Sequence, residues 1–399
     1  MKILHLITRL ILGGAQQNTV MSCAAQVAAG HDVTLAYGPI YGPEGSLLEQ
    51  AQRSGATLVE LPAMHRAIRP VNDLRCYVAL RKLIRELKPD VVHTHSSKAG
   101  ILGRLAASKE NVPAIIHTVH GLPFHDRQPR WVHRTYVALE RHAAKHCHHL
   151  IAITPAMVDA FVAARIAAAD RFTVIPSGVE LARFERDRRH GPAVRDELGI
   201  PPDAPLLGIV ARLDPLKGHD DLLAIMPALL DRLPELRLLC VGDGFYRPQL
   251  EAQLADKPWR DRVILTGLVP HDRVGHLLTA VDVKVLPSYQ EGQSRTLIEA
   301  LLCGCGIVAY NIGGMPSICV DGETGKLVEP GDRAALADAI AWMFDHSTER
   351  IAMVQRGQAH VREHFDARRM VAMIEQVYEN VLARGSGFGF RDSGSNPPS

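Results

Sequence analysis

Aromatic residues and long apolar runs are both scarce in this sequence. Phe, Trp and Tyr make up only 5% of the 399 residues. Every apolar run is broken by Arg, Asp, His or Gly before it reaches the roughly 18 to 20 residues of a membrane-spanning helix. The first nine residues end in Arg9 and lack a small-residue cleavage site, which argues against a signal peptide. We therefore expect a soluble, cytoplasmic protein.

Two patterns that commonly hold ligands or metals are also missing. The seven cysteines form no C-x-x-C pair and no evident disulfide ladder, which indicates a reducing compartment. Cys303 and Cys305 lie one residue apart, which is poor spacing for a metal site. The chain also lacks a D-x-D triplet of the sort that holds a divalent ion under a nucleotide diphosphate. We expect no cofactor and no dependence on added metal.

Charge is nearly balanced overall but unevenly distributed. The chain has 45 Lys and Arg against 43 Asp and Glu, yet its first 190 residues are basic and the remainder is acidic. A basic face could hold the protein at an anionic membrane leaflet, at roughly 1 kcal/mol per well-placed cation, or could simply be solvated. No nucleic-acid-reading motif is evident, and we expect no nucleic acid partner. The basic residues form two groups: Arg66, Arg69, Arg75, Arg81, Lys82, Arg85 and Lys88; and Arg127, Arg130, Arg134, Arg141 and Lys145, with Trp131 and Tyr136 interleaved.

Apolar runs of strand length alternate with segments of helical pattern along the chain. Continuous Val, Ile and Leu runs of this kind indicate parallel sheets covered by helices on both faces. A charged segment at 183–205, which contains several Gly and Pro residues, separates two such halves. The predicted fold class is α/β, with two doubly wound parallel-sheet domains. The predicted strands are 2–8, 32–38, 57–62, 91–95, 114–119, 149–154, 172–176, 206–211, 237–242, 262–266, 281–286, 306–310 and 326–329.

The most informative segment is Glu291–Glu299, which joins the apolar run Val281–Leu286 to a helix. A helix start carries unpaired backbone N–H groups and a partial positive charge, so it can hold a diphosphate without a metal. The helical rise would separate the two glutamates by about 9–12 Å, so each could bind a different set of hydroxyls. Alternatively, they are a solvated loop acid and a first-turn acid favoured by the helix dipole. The residues predicted to hold the diphosphate are Gly292, Gln293, Ser294 and Arg295.

Two cations follow another predicted strand. Arg212 supplies a planar fork of donors and Lys217 a mobile point charge, a combination suited to a departing nucleoside diphosphate. The alternative is that both are ordinary surface cations. Gly242 and Gly244 mark a second strand-to-helix turn, and Gly313-Gly314 a third. Several such turns at one edge of one sheet favour a binding site.

Taken together, these motifs resemble those of the retaining nucleotide-sugar glycosyltransferases of family 4. The resemblance covers residue 1 to about 380. In the second half it rests on the paired glutamates, on Ala211-Arg212-Leu213 with Lys217-Gly218, and on Gly313-Gly314 followed by Asp321-Gly322-Glu323-Thr324-Gly325. In the first half it rests on Gly13-Gly14-Ala15-Gln16 and on His117-Thr118-Val119-His120-Gly121.

The resemblance implies a GT-B architecture, in which two such domains face each other across a cleft. It implies an acceptor-side domain over 1–185 and a donor-binding domain over 186–366. A helix over 367–384 would cross the domains, and the tail at 385–399 is predicted to be disordered.

The resemblance also implies a role for each site residue. Glu291 would bind the donor sugar and Glu299 the ribose, while Arg212 and Lys217 would bind the diphosphate. Gly13 and Gly14 would form a loop over the phosphates and acceptor, and His120 would lie near the transferred sugar. His5, His93, His95 and His117 sit in apolar runs and are interpreted as structural.

The implied reaction transfers a sugar from a UDP- or GDP-sugar to a glycan or lipid-linked hydroxyl, with retention and by a front-face route. Similarity at residues 93–100 and 117–124 points to bacterial enzymes of exopolysaccharide, capsule or lipopolysaccharide synthesis. A basic face that binds the membrane would place the protein peripherally on the inner face of the cell membrane. Gln293, Gly306 and Ser317 depart from the family pattern, and they leave the donor sugar open. Two alternatives remain: a sugar-nucleotide epimerase or hydrolase on the same fold, and a non-catalytic nucleotide-sugar-binding subunit.

Overall fold

The computed structural model describes residues 1–41, 45–124, 128–185 and 189–385, which form two compact units. The second unit comprises Ile153–Met157 and Pro176–Met370, and the first comprises the remainder. Arg127 of the second basic group, residues 186–188 of the predicted linker and the predicted tail beyond residue 385 lie outside the described residues.

The first unit is built on seven parallel strands: β1 (Lys2–Arg9), β2 (Asp32–Gly38), β3 (Thr57–Glu60), β4 (Val91–His95), β5 (Ala114–Val119), β6 (His149–Ala152) and β7 (Phe172–Val174). Their order across the sheet is β3-β2-β1-β4-β5-β6-β7. The chain adds β2 and β3 on one side of β1 and then places β4 to β7 on the other side. The helices up to this point are α1 (Gly14–Ala28), α2 (Leu48–Arg53), α3 (Pro70–Leu87), α4 (Ser97–Lys109), α5 (Arg130–Ala144) and α6 (Pro155–Ala163).

The second unit is built on six parallel strands: β8 (Leu206–Val210), β9 (Arg237–Val241), β10 (Val263–Leu265), β11 (Val283–Leu286), β12 (Gly306–Tyr310) and β13 (Lys326–Val328). Their order is β10-β9-β8-β11-β12-β13. The remaining helices are α7 (Leu181–Glu185), α8 (Gly191–Glu197), α9 (His219–Arg232), α10 (Arg247–Ala255), α11 (His271–Ala280), α12 (Arg295–Cys303), α13 (Arg333–Asp345), α14 (Ser347–His364) and α15 (Ala367–Gly385).

The predicted fold class is confirmed. Each of the predicted strands is present in the described ranges, with ends that agree within two residues. The reason is visible in β8, where Leu206 and Val210 pack into one apolar cluster and Leu207 and Ile209 into another. A parallel strand covered on both faces must be apolar throughout, and this makes its sequence easy to recognise. No helix in the described ranges combines the length and apolar character needed to cross a bilayer.

The first unit ends earlier in the chain than the expected limit at residue 185. Residues 176–185 belong to the second unit, where Val179 donates its N–H to the Phe365 carbonyl oxygen at 2.8 Å. Ala367 returns an N–H to the Val179 carbonyl oxygen at 3.2 Å. Helix α15 lies over the predicted 367–384, and its residues up to Met370 belong to the second unit. A segment that forms backbone hydrogen bonds of this kind is part of the domain with which it pairs.

Strand β11 carries one charged residue in its interior. Lys284 is completely buried and pairs in register with Gly208 and Ile307 of the two neighbouring strands. Its Nζ donates to the Val285 carbonyl oxygen at 3.0 Å. Burial lowers the pKa of Lys284 to about 7, although electrostatic interactions with Cys305, Glu291 and Glu299 act in the opposite direction. The strand therefore holds a lysine at a stability cost.

We expect Lys284→Met to raise the free energy of unfolding by about 1–4 kcal/mol, because an apolar side chain of similar length avoids the desolvation of a charge. The unfolded chain protonates this lysine near the ordinary pKa of about 10.4, above the folded value. The natural protein should therefore lose stability as the pH falls from about 10 to about 7 and level off below. The advantage of the variant should grow over the same window.

Urea unfolding at several pH values between about 6 and 9.5 measures this difference. Lys257→Met is the matched control, because Lys257 is exposed in the same unit and its replacement should change stability by less than about 0.5 kcal/mol. A Lys284→Met variant that is less stable than the natural protein would contradict the assignment.

Candidate functional site

The candidate site of the second unit lies where β8 and β11 end. These strands are parallel neighbours, so the loops that follow them leave the same edge of the sheet. Nζ of Lys217, after β8, lies 2.5 Å from Oε1 of Glu291, after β11, and the two side chains are 19% and 14% exposed. Ser288 donates from Oγ to the same oxygen at 3.1 Å. Two residues with separate predicted roles thus form one ion pair.

The loop that carries Lys217 is fixed by short-range contacts. Asp214 accepts the N–H of Leu216 at Oδ1, at 3.0 Å, and so caps the single helical turn that contains the lysine. Gly218 follows with a φ of +73°, and a Cβ at this position would lie 1.9 Å from the carbonyl oxygen of Pro287. Only glycine fits that contact, which places the two loops against each other.

Arg212 is the more accessible of the two cations. Its side chain is 53% exposed, and Nη2 donates to Oδ2 of Asp214 at 3.1 Å. An exposed pair of this kind stabilises a protein by about 1 kcal/mol at most. Arg212 can therefore exchange Asp214 for a more strongly bound anion at small cost.

The predicted glycines at the end of β9 support the Arg212 loop. A Cβ at Gly242 would lie 2.2 Å from the carbonyl oxygen of Ala211, and a Cβ at Gly244 would lie 2.2 Å from that of Leu213. Leu213 also donates its N–H to the carbonyl oxygen of Asp243 at 3.1 Å. These glycines let two backbones meet, which is sufficient reason for glycine at both positions.

The Gly313-Gly314 turn supports the Glu291 loop in the same way. A Cβ at Gly313 would lie 2.1 Å from the carbonyl oxygen of Glu291, and a Cβ at Gly314 would lie 2.1 Å from that of Gly292. Any side chain at these positions would displace the segment that carries Glu291. The two glycine turns thus allow close backbone contacts that support the loops carrying Arg212 and Glu291.

Helix α12 begins at Arg295, the last residue of the segment predicted to hold a diphosphate, but two of the predicted side chains bond to other parts of the chain. Gln293 accepts the N–H of Ser177 at 2.9 Å and donates to its carbonyl oxygen at 3.1 Å. Arg295 donates from Nη1 to the carbonyl oxygen of Gly178 at 2.8 Å. Ser294 Oγ lies 3.2 Å from the hydroxyl of Thr296. An anion at this helix start would therefore meet mainly backbone N–H groups.

Glu299 is a buried acid on α12, only 2% exposed. Burial raises its pKa to about 7, although the positive charges of Arg295 and Arg183 act in the opposite direction. This carboxyl group is therefore poised between its two protonation states near neutral pH. Its perturbed pKa and its position on α12, the helix that follows the Glu291 loop, are consistent with a binding role.

A buried carboxylate that sequence reasoning missed ties the site loops to the core. Asp221 is 3% exposed and accepts hydrogen bonds from Tyr289 at 2.5 Å, from Tyr310 at 2.8 Å and from Arg333 at 2.8 Å. Burial alone would raise the pKa of Asp221, but these bonds outweigh it and lower the pKa. Tyr289 also donates its N–H to the carbonyl oxygen of Leu216 at 2.8 Å. The only sequence signal was an acid within the apolar face of α9.

The first unit holds the other predicted site residues. Gly13 precedes α1 and accepts the N–H of Gln17 at its carbonyl oxygen, at 2.9 Å, and Gly14 is the first residue of the helix. His120 follows β5, is half-buried, and its Nε2 lies 2.9 Å from Nδ1 of His95.

The histidines interpreted as structural are indeed buried, but they form a connected cluster. His5 pairs in register with His93 across β1 and β4, and His5 Nδ1 lies 3.0 Å from His95 Nε2. His117 bonds instead to the hydroxyl of Thr94 at 2.9 Å. Among the described residues, His5, His93 and His95 are also close enough to share a metal ion. The parallel alignment of β1 with β4 was the signal that could have revealed the cluster.

Two family models match this chain, one in each half. One, described as a glycosyl transferase 4-like domain, matches residues 13–178. The other, described as glycosyl transferases group 1, matches residues 192–360. Lys217, Glu291 and Glu299 all lie within the second match.

Curated relatives and solved structures agree with these models. The UDP-Gal:alpha-D-GlcNAc-diphosphoundecaprenol alpha-1,3-galactosyltransferase of Escherichia coli is 29% identical over 81% of this chain and 83% of its own length. The D-inositol 3-phosphate glycosyltransferase of Acidothermus cellulolyticus is 32% identical over 74% of this chain and 68% of its own length. The structure of Anabaena Alr3699/HepE with UDP and glucose superposes with a TM-score of 0.82 at 21% identity, over 95% of this chain and 99% of that chain.

The structural likeness extends over both sheets, and the sequence likeness covers both halves of the chain. Identity above 30% over more than two thirds of a relative is enough to assign a family. This protein therefore belongs to the group 1 glycosyltransferases with the GT-B fold.

Proposed function

We propose that this enzyme transfers a sugar from a UDP- or GDP-sugar to a hydroxyl of a glycan or lipid-linked acceptor, with retention at the anomeric carbon, in cell-envelope polysaccharide synthesis. The observation that carries the proposal is the Lys217–Glu291 pair at the carboxyl edge of β8 and β11, beside the exposed Arg212. The name of the Escherichia coli relative gives UDP-Gal as the donor and a diphosphoundecaprenol-linked sugar as the acceptor, which supports a lipid-linked acceptor here. The complexes of Anabaena HepE with UDP support a uridine donor.

The ion pair suggests how the donor is received. A diphosphate carries more negative charge than a single carboxylate, so it can draw Nζ of Lys217 away from Glu291. Glu291 is then free to accept hydrogen bonds from the hydroxyls of the sugar. Arg212 can join the diphosphate because its bond to Asp214 is exposed and weak. Binding would thus replace two internal ion pairs by three contacts to the donor, two at the diphosphate and one at the sugar.

The proposed reaction needs no protein nucleophile. The bond between the anomeric carbon and the diphosphate oxygen breaks, and the acceptor oxygen bonds to the same face of that carbon. The acceptor proton passes to the departing phosphate. Lys217 and Arg212 stabilise the charge that grows on this leaving group, the role that a metal ion plays elsewhere. We accordingly propose that turnover proceeds without added metal, so chelator should leave the rate unchanged.

Replacing either cation should reduce turnover more than donor binding. We expect Lys217→Met and Arg212→Met each to lower kcat by about 100-fold or more, because the lost charge acts mainly in the transition state. Thermal stabilisation by a panel of UDP-, GDP-, ADP- and TDP-sugars would first identify the donor. Initial rates of nucleotide release then measure kcat, and Lys257→Met is the control with an exposed lysine. Near-normal kcat in both variants would remove the assigned roles.

The same assay separates the alternative functions. A hydrolase on this fold would release nucleotide with the donor alone, and an epimerase would convert the donor alone into another nucleotide sugar without net nucleotide release. A binding subunit would bind the donor and give no product, even with membrane extract as a source of acceptor. Nucleotide release that requires the extract supports a transferase.

Donor affinity should depend on the protonation of Glu299. An ionised carboxylate accepts hydrogen bonds from ribose hydroxyls more strongly than a neutral acid. Because the pKa of Glu299 is raised to about 7, we expect KM for the donor to rise as the pH falls below about 7. Glu299→Gln should have a higher KM and a flatter dependence on pH. A pH dependence that is identical in this variant would show that another group is responsible.

A membrane-facing surface on the first unit would bring the enzyme to a lipid-linked acceptor, and we propose a peripheral location on the inner leaflet. On α3, Val71, Leu74 and Val78 are 65%, 64% and 57% exposed and recur at helical spacing. Arg75 on the same helix is exposed. Apolar side chains beside cations favour an anionic interface. Arg81 and Arg85 contribute less, because Glu110 pairs with both.

Vesicle sedimentation tests this surface. We expect Leu74→Ser with Val78→Ser to weaken binding to phosphatidylglycerol vesicles about tenfold, and Arg130→Gln with Arg134→Gln to do the same. Ile351→Ser is the control, since Ile351 is 55% exposed in the second unit. Unchanged sedimentation of both double variants would exclude these groups as the membrane contact.

A further inference from the structure

Tyr289 contacts both of the loops that form the Lys217–Glu291 pair. It lies two residues before Glu291, in the loop that follows β11. Its backbone N–H donates to the carbonyl oxygen of Leu216, the residue before Lys217, at 2.8 Å. Tyr289 is therefore part of one loop and holds the backbone of the other.

The side chain of Tyr289 is fixed at its far end by a buried carboxylate. Its hydroxyl donates to Oδ2 of Asp221 at 2.5 Å, and Asp221 is only 3% exposed. Asp221 is ionised at neutral pH, because its hydrogen bonds outweigh its burial and lower its pKa. Burial and the bond to Asp221 raise the pKa of Tyr289, so the hydroxyl keeps its hydrogen. The direction of the bond is thus settled, since an ionised carboxylate can only accept.

The position of Asp221 in the chain turns these two bonds into a closed ring of contacts. Asp221 stands in the first turn of α9, which begins at His219, two residues after Lys217. The ring runs from Lys217 along the chain to Asp221, across to Tyr289 and back to Leu216. Such a ring leaves the backbone of Lys217 little freedom to move relative to the loop that carries its partner.

Asp221 does not depend on Tyr289 for its own position. Arg333, the first residue of α13, donates from Nε to Oδ1 of Asp221 at 2.8 Å, and its Nη2 lies 2.8 Å from the same oxygen. Tyr310 of β12 donates its hydroxyl to Oδ2 at 2.8 Å. The carboxylate is therefore a fixed anchor, and Tyr289 is the partner that connects it to the ion pair.

Tyr310 and Tyr289 form a matched pair that differs in what each connects. Both hydroxyls donate to Oδ2 of Asp221, and the two rings pack edge to face with centroids 5.5 Å apart. Tyr310 is fully buried within its strand and belongs to neither loop. If the network only supported the core, loss of either hydroxyl would have the same effect.

We propose that Tyr289 is a positioning residue that holds Lys217 and Glu291 in the geometry that receives the donor. It acts through its hydroxyl bond to Asp221 and its N–H bond to Leu216, with no contact to the substrate required. The consequence for turnover rests on the proposed function. The effect on the two loops is a property of the protein alone.

Amide hydrogen exchange of the full-length protein tests the positioning role without substrate. Mass spectrometry of peptides that cover 211–218 and 286–293 reports on the two loops. Tyr289→Phe removes the hydroxyl and keeps the ring. We expect exchange in both segments to become about tenfold faster, because the ring and the backbone bond beside it gain freedom. Tyr310→Phe is the matched control, and it should leave both segments within about twofold of the natural protein.

Thermal unfolding of the same variants separates a local effect from a general one. Both melting temperatures should fall by similar amounts, because each variant loses one hydrogen bond to Oδ2 of Asp221. Faster exchange in Tyr289→Phe alone then supports the positioning role. Unchanged exchange in Tyr289→Phe, or equal acceleration in both variants, would overturn it.

Kinetics test the consequence for turnover separately. We expect Tyr289→Phe to lower kcat about tenfold with little change in KM for the donor, because a displaced charge is lost mainly in the transition state. Tyr310→Phe should keep kcat within about twofold of the natural value.

A double variant shows whether the loss passes through the ion pair. In a Lys217→Met background, Tyr289→Phe should cost clearly less than in the natural protein, because one member of the pair is already absent. Losses that multiply in full would indicate general damage and contradict the positioning role. If the natural protein turns over no donor, the proposed function fails, while the exchange measurement still decides the role of Tyr289.

Discussion

The parallel pairing of β8 with β11 is the constraint on which the donor-side site depends. Leu207 lies opposite Val283 in this pairing, and both strands run in the same direction. Their following loops must therefore leave from one edge, although more than seventy residues separate Lys217 from Glu291 in sequence. The ion pair, the contact of Gly218 with Pro287 and the bond from Tyr289 to Leu216 are all formed between these two loops. A shift of register would separate all three.

Buried polar groups distinguish this chain from an ordinary pair of parallel sheets. Both strands at the centre of the first sheet carry histidine where apolar residues would suffice, and β11 carries a lysine. The histidines satisfy one another and their neighbours, so their burial costs little hydrogen bonding. Lys284 bonds to a carbonyl oxygen and relinquishes part of its charge instead. Burial of a polar side chain is thus accommodated in two ways: the histidines have hydrogen-bond partners, and Lys284 has a lowered pKa.

The fold could be predicted because parallel strands covered on both faces are continuously apolar in sequence. The sheet edge at which each site lies could also be predicted, because the loops that follow parallel strands all leave from the same edge. The partners of side chains could not be predicted in the same way. Gln293 and Arg295 were expected to face a diphosphate, but they bond to the backbone of Ser177 and Gly178, which is distant in sequence. The histidine cluster was hidden for a related reason, since each histidine is unremarkable within its own strand. Only the alignment of β1 with β4 places His5 opposite His93.

Each unit holds its proposed site residues in place through contacts within its own interior. In the second unit, Glu291 holds the ammonium group of Lys217 in one position through their ion pair. In the first, hydrogen bonds in series join Gln26 on α1 through His5 and His95 to His120 after β5. Neither arrangement requires the other unit, so each half can be prepared before substrate binds. Preparation of this kind lowers the reorganisation needed at the moment of reaction, which is how fixed charges and dipoles accelerate chemistry that uses no protein nucleophile.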